Sequence, residues 1–190
     1  MADASISLYV HWPFCLSKCP YCDFNSHVRE NYSEQAWSQA LVSELQKVRD
    51  LIGLRTLSTI FFGGGTPSLM SPSTVGTIIN QAIKLFNTTH DLEITLEANP
   101  NSVEVEKFKN LAIAGVNRIS IGVQSLREAR LLSLGRKHSV NEAIQAIETA
   151  ISVFKRVSFD LIYIGALHFI EHFVEACEPM ASCSTEHNIR

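Results

Sequence analysis

The sequence predicts an α/β fold: a parallel sheet of roughly five strands with outer helices, curled toward a barrel. Three observations predict it. Short strand-like runs alternate strictly with amphipathic helical stretches, the pattern of right-handed β-α-β crossovers. Four of the five runs carry polar residues along one side only, whereas strands covered by helices on both faces read apolar throughout. Residues able to do chemistry gather at or near the carboxyl ends of these runs, where barrel folds place their sites. A polar-lined lumen explains the pattern; a sheet with one solvated face is the alternative.

In the first strand, Ser5 to His11, Ile6, Leu8 and Val10 alternate with Ser7, Tyr9 and His11. A loop with Cys15, Cys19 and Cys22 leaves its carboxyl end. Ser33 is placed to cap a helix in which Trp37, Leu41, Leu45, Val48 and Ile52 recur at helical spacing, with Gly53 as its stop. The second strand, Leu57 to Phe62, runs into Gly63-Gly64-Gly65-Thr66-Pro67-Ser68. Ser71 and Pro72 hold the cap and first-turn positions of a helix whose buried face is Val75, Ile78, Ile79, Ala82, Ile83 and Phe86. Leu92 to Glu97 is the third strand. Asn101 and Glu104 form a capping pair for a helix through Phe108 and Leu111, closed by Gly115. Asn117 to Gln124 is the fourth strand, and Leu126 to Leu134 a short helix ending at Gly135. Ser139 and Glu142 make a capping box for Ala143, Ile144, Ile147, Ala150, Ile151 and Phe154, before a fifth strand, Arg156 to Tyr163. The polar sides carry Ser7, Tyr9 and His11; Thr95 and Glu97; Ser120, Gly122 and Gln124; Ser158 and Asp160.

At 190 residues the chain suits one domain with a substantial core. A net charge of -3 gives no basic surface for nucleic acid or an anionic membrane. No run is long enough for a membrane span, and Met1 to Ser5 lead into the first strand without a signal-peptide pattern. The expected setting is cytoplasmic, where clustered thiols serve as ligands rather than disulfides.

The spacing C-x-x-x-C-x-x-C brings three thiolates around one soft centre. A cluster of four irons needs a ligand for each iron, so three cysteines leave one iron open, as reactive metal sites require. Zinc is the alternative; its structural sites are usually built from two C-x-x-C pairs, and here His11 and His27 would have to complete the shell. The triple glycine lets backbone N–H and C=O groups approach a ligand, or simply makes a tight turn.

The C-x-x-x-C-x-Tyr-C run, the leading Tyr9-Val10-His11-Trp12-Pro13-Phe14 and the trailing Asp23-Phe24-Asn25-Ser26-His27 resemble the radical S-adenosylmethionine superfamily. Within it they are similar to the HemW-type heme chaperones, which resemble oxygen-independent coproporphyrinogen III oxidases. The resemblance runs from about residue 5 to Tyr163. It implies an incomplete (β/α)6 barrel, a 4Fe-4S cluster on Cys15, Cys19 and Cys22, and S-adenosylmethionine chelated by the open iron. It further implies reductive cleavage of that cofactor, a role with heme or porphyrinogen, an electron donor and a heme acceptor protein. From the related oxidases it implies Tyr9, Gly64 and Glu97 at the cluster-bound cofactor, and Tyr21, Gly65, Thr66, Gln124, Arg136 and Asp160 at a second cofactor molecule. The alternative for Glu97, Arg136 and Asp160 is a buried ion-pair network.

Two departures bear on this. The oxidases carry another cysteine shortly after the third ligand, where Asp23 and Phe24 stand here, which favours the chaperone. The decarboxylating oxidase and an inactive product with the family's front half are the other readings. After Tyr163 the expected Gly-Leu-Pro-like turn is missing, and so is the His motif linked to heme. Residues 1–163 therefore read as an incomplete core and 164–190 as a divergent tail, expected from a frameshift, alternative splicing or premature termination. There the spacing of His168, His172 and Cys177 is expected to be chance, and Cys177 and Cys183 incidental.

Overall fold

The computed structural model describes residues 5–29 and 31–162. Strand β1 spans Ile6–Trp12, and two short strands, β2 (Phe14–Cys15) and β3 (His27–Val28), pair with each other at the base of the cysteine loop. Helix α1 (Glu34–Ile52) leads to β4 (Thr56–Gly64), a 3-10 turn at Pro67–Leu69, and α2 (Pro72–Leu85). Then come β5 (Asn87–Ala98), α3 (Ser102–Val105), α4 (Phe108–Ile113), β6 (Arg118–Gln124), α5 (Glu128–Ser133), α6 (Val140–Val153) and β7 (Arg156–Leu161).

The main sheet is parallel throughout, in the order β1-β4-β5-β6-β7. Each strand lies beside the next one in the chain, with no reversal. A doubly wound sheet reverses at a switch point and covers both faces with helices. Sequential right-handed crossovers put every helix on the same side and bend the sheet toward a barrel. The side-chain pattern agrees. Val10, Trp12, Ile60, Phe62, Ile94, Leu96, Ile119, Ile121 and Val123 face the helices and are buried. Across the other face the register sets Ser7 beside Thr59, Tyr9 beside Phe61, Glu97 beside Ser120, and Ser120 beside Ser158.

The helices close the core with Val75, Ile78, Ile79 and Ala82 of α2, Ala143, Ala146, Ile147 and Ala150 of α6, and the Phe108–Phe154 edge contact. Capping follows the sequence: the Ser33 hydroxyl accepts from the Ala36 N–H, and both bonds of the Ser139–Glu142 capping box form. Helix α1 lies mainly along α2 and buries only Leu45. Its Trp37 meets Trp12 and Phe14 edge-on, and Tyr32 stacks on Phe14 at 4.0 Å, so one aromatic cluster fastens the start of the cysteine loop to this helix.

The structure corrects several boundaries. The third strand begins at Asn87 rather than Leu92, because Asn87 and Thr88 pair with Thr56 and Leu57 before the register jumps to Thr59 and Glu93. Those residues are too polar for the hydrophobic pattern to reveal. The single helix expected between Asn101 and Gly115 is two: Glu104 turns inward, and the Lys107 ammonium donates to the Leu69 carbonyl, 3.3 Å away. Ile83 and Ile151 stand at the margins of their helical stripes and are exposed. Tyr163 and the expected tail, 164–190, lie outside the described residues.

Candidate functional site

The cysteine loop is held against the carboxyl ends of β1 and β4. The Gly65 N–H donates to the Trp12 carbonyl at 2.6 Å, and the Thr66 N–H to the Phe14 carbonyl at 2.8 Å. A Cβ on Gly65 would lie 2.7 Å from the Phe14 carbonyl oxygen. One on Gly64, where φ is +114°, would lie 2.6 Å from the His11 ring. Only glycine lets the loop lie this close. This revises the sequence reading of the glycine run. The Gly64 N–H donates to Glu97 Oε2 (3.3 Å), so three successive N–H groups serve the protein itself, and close approach is first to the cysteine loop.

Cys15, Cys19 and Cys22 border one cavity together with Tyr21, Gly65, Thr66, Glu97, Gln124, Arg136 and Asp160. Of the residues singled out from the sequence, Tyr9 and Gly64 do not line it. Gly64 stands behind Glu97, and Tyr9 stacks on Phe61 with its hydroxyl 3.3 Å from His11 Nδ1. Gln124 closes β6 with φ at 70°, the one positive φ outside glycine among the described residues, a strain that concentrates at functional sites.

Asn99, also in the cavity wall, was not marked by the sequence reading. It directly follows the end of β5, and the rule that barrel chemistry sits at strand carboxyl ends could have found it. Its Oδ1 accepts from Arg136 Nη2 at 2.7 Å, and its Nδ2 donates to Thr66 Oγ1 at 3.2 Å. Arg136 Nη2 also donates to the Gly122 carbonyl (2.7 Å) and Nη1 to Cys19 Sγ (3.5 Å), while the Thr66 hydroxyl donates to Cys15 Sγ (3.5 Å).

Burial raises the Glu97 carboxyl; the Gly64 N–H opposes that rise and the Asp160 charge adds to it. Asp160 is also raised by desolvation of its carboxyl, against the pull of Arg118, although much of the residue's surface is exposed. The Tyr21 phenol is pushed up to about 12, chiefly by burial and further by Cys19, with Arg136 opposing. Among the described residues no ion pair joins Glu97, Arg136 and Asp160. The paired charges of the polar face lie a layer lower, where Arg156 and Arg118 meet Glu93 at 2.7 and 3.6 Å.

Zinc completed by histidines does not fit. His11 spends its ring nitrogens on the Tyr9 hydroxyl and the Asn25 carbonyl, and His11 and His27 line a separate cavity beside Trp37. Among the described residues no three His, Cys, Asp or Glu side chains gather as ligands of one ion. The thiols instead border a shared space, an arrangement suited to a centre larger than an ion. Two atoms in its wall, Ser26 Oγ and Arg136 Nε, are buried without a protein partner. No helix among the described residues is long and apolar enough to cross a membrane.

Residues 9–179 match the family model of the Radical SAM superfamily. The heme chaperone HemW of Haemophilus influenzae is 43% identical over 164 residues, covering 83% of this chain and 43% of the relative. HemW of Escherichia coli K12 is 44% identical over 157 residues, covering 82% and 41%. The mitochondrial radical S-adenosyl methionine domain-containing protein 1 of Bos taurus is 39% identical over 182 residues, covering 95% and 41%. The chain thus spans about two fifths of the length of these relatives. Among solved structures, the radical SAM enzyme coproporphyrinogen III oxidase HemN of Escherichia coli superposes with a TM-score of 0.81 at 27% identity, covering 94% of this chain and 42% of that one.

Proposed function

The chain belongs to the Radical SAM superfamily and is HemW-like, and from that premise we propose that it binds a 4Fe-4S cluster and S-adenosylmethionine and handles heme as a chaperone. The observation that carries this reading is the placing of three thiols and the polar ends of three strands, β5, β6 and β7, around a single cavity. Cys15, Cys19 and Cys22 would hold the cluster and leave it an open position for S-adenosylmethionine. The chemistry it would supply when bound is one-electron reduction, which S-adenosylmethionine needs for reductive cleavage.

The chain's own residues bind and orient. Glu97, whose carboxyl is raised by burial, would be drawn toward its charged form by a cationic cofactor group and so would hold it. Gly64, at the end of β4, supports Glu97 through its N–H, and Tyr9 stands one strand further out on β1. Tyr21, Gly65, Thr66, Gln124, Arg136 and Asp160 continue the polar wall and would hold a second cofactor molecule. The heme role rests on the relatives named heme chaperones and on Asp23 and Phe24 standing after Cys22. Residues 1–163 are read as the core of this unit, and clustered free thiols support a reducing, cytoplasmic setting.

Anaerobic reconstitution with iron and sulfide tests the reading. A brown protein with about four irons per chain is expected. A colourless product, or a chromophore that survives alanine at all three cysteines, ends it. Dithionite-dependent 5′-deoxyadenosine with porphyrinogen decarboxylation would turn the assignment to the oxidase. Heme binding with no decarboxylation keeps the chaperone.

A further inference from the structure

Glu104 is fully buried, at 0% exposure. A carboxylate in that position is costly unless donors satisfy it. Here they do: the Ser68 hydroxyl, the Asn99 N–H at 2.8 Å, and the side-chain amides of Asn99 and Asn101. The consequence falls on Asn99. Its Nδ2 faces two acceptors, Glu104 Oε1 (3.4 Å) and Thr66 Oγ1 (3.2 Å), so its Oδ1 is the atom turned to the Arg136 guanidinium. Thr66 Oγ1, accepting from Asn99, has its own proton left for Cys15 Sγ. Arg136, fixed by Asn99 and by the Gly122 carbonyl, aims Nη1 at Cys19 Sγ. One amide, anchored by one buried carboxylate, thus directs donors onto two of the three thiols.

We propose that Asn99 is a positioning residue that sets hydrogen bonds on the sulfurs of Cys15 and Cys19 and thereby raises the reduction potential of the cluster. The proposal rests on the reading that these cysteines hold a 4Fe-4S cluster. Ligand sulfurs gain negative charge when the cluster takes up one electron, so donors aimed at them stabilise the reduced form more than the oxidised one. Removing the donors moves the couple to more negative potential.

The test is a redox titration of the reconstituted full chain, without S-adenosylmethionine, monitored by electron paramagnetic resonance with dithionite as reductant and iron content measured first. Thr66→Val removes one hydroxyl at nearly constant shape, Thr66→Ser restores it, and Asn99→Ala releases both donors. The expected result is a lower potential for Thr66→Val, a larger drop for Asn99→Ala, and a wild-type value for Thr66→Ser. Potentials of Thr66→Val and Asn99→Ala that coincide with wild type at equal iron content overturn the proposal. If Asn99→Ala takes up no iron, Thr66→Val decides alone, and an unshifted potential there overturns it as well. Failure of the wild-type chain to take up iron is a different outcome, which ends the cluster reading itself.

Discussion

In the proposed function Glu97 has to be buried enough to meet a cofactor yet remain a carboxylate, and the two requirements oppose each other. Its carboxyl lies above the ordinary range, chiefly through burial. In the window between its unfolded value, about 4.3, and its raised native value, the folded chain therefore binds more protons than the unfolded one. Stability falls as pH rises through that window: below the unfolded value both states are protonated and no cost exists, and above the native value the whole cost is present. We expect Glu97→Gln to gain in urea midpoint relative to wild type as pH rises from about 4 to about 7, while its affinity for S-adenosylmethionine falls. A midpoint difference constant with pH would show that burial of this charge is not what the site spends its stability on. Loss of stability with unchanged affinity would instead restore the ion-pair reading. The lining of the cavity was legible where it sat in a motif, as with the cysteines, or at a strand's polar end, as with Glu97 and Asp160. Asn99 was not legible, because an asparagine before a proline reads as a loop residue until Arg136, Thr66 and Glu104 are seen around it.

Gly65, just past β4, and Gly76, inside α2, look alike in a sequence and do opposite things. At Gly65 an added methyl would meet the Phe14 carbonyl oxygen at 2.7 Å and the Pro13 carbonyl carbon at 2.9 Å, backbone atoms that no rotamer change can move aside. Gly76, inside α2, would place its methyl 3.5 Å from Ala114 Cβ, an ordinary contact. Gly65→Ala is expected to cost about 1–3 kcal/mol by overpacking and to lower iron uptake by lifting the cysteine loop from the strand. Gly76→Ala is expected to gain about 0.5–1 kcal/mol from helix propensity. Urea midpoints of the two variants check both signs, and a Gly65→Ala chain as stable as wild type would mean that the glycine run is kept for the ligand and not for packing. Elements whose ends carry a capping chemistry, such as Ser33 for α1 and Ser139 with Glu142 for α6, were legible because the signal is local. The break between α3 and α4 was not, since it follows from the pull of Ser68 and Asn99 on Glu104, contacts from distant parts of the chain.

On the scale of the whole molecule, the one-sided polarity of the strands favoured a curled sheet around a polar lumen over a sheet with one solvated face. The Glu93–Arg118–Arg156 group beneath the cavity was not foreseen, because Glu93 and Arg156 stood at the margins of the expected strands, where a charge ordinarily points to solvent. The same scale decides what cluster loading does to stability. A ligand that binds only the folded state raises global stability, but one that the unfolded chain also holds raises it little. Cys15, Cys19 and Cys22 are neighbours in sequence, so an unfolded chain keeps them within reach of one another. The folded state adds the contacts that tie the loop to its surroundings, among them Thr66 and Arg136 on the sulfurs, Pro20 against Gly135, and the Gly65 and Thr66 N–H groups on the Trp12 and Phe14 carbonyls. We therefore expect reconstitution to move the thermal midpoint only slightly while strongly suppressing tryptic cleavage after Lys18, which is exposed between two of the ligands. Lys47, exposed on α1, serves as the internal control. Removing iron with a chelator should restore cleavage at Lys18 and leave Lys47 unchanged. A large midpoint shift without protection of Lys18 would mean that iron had bound away from this loop.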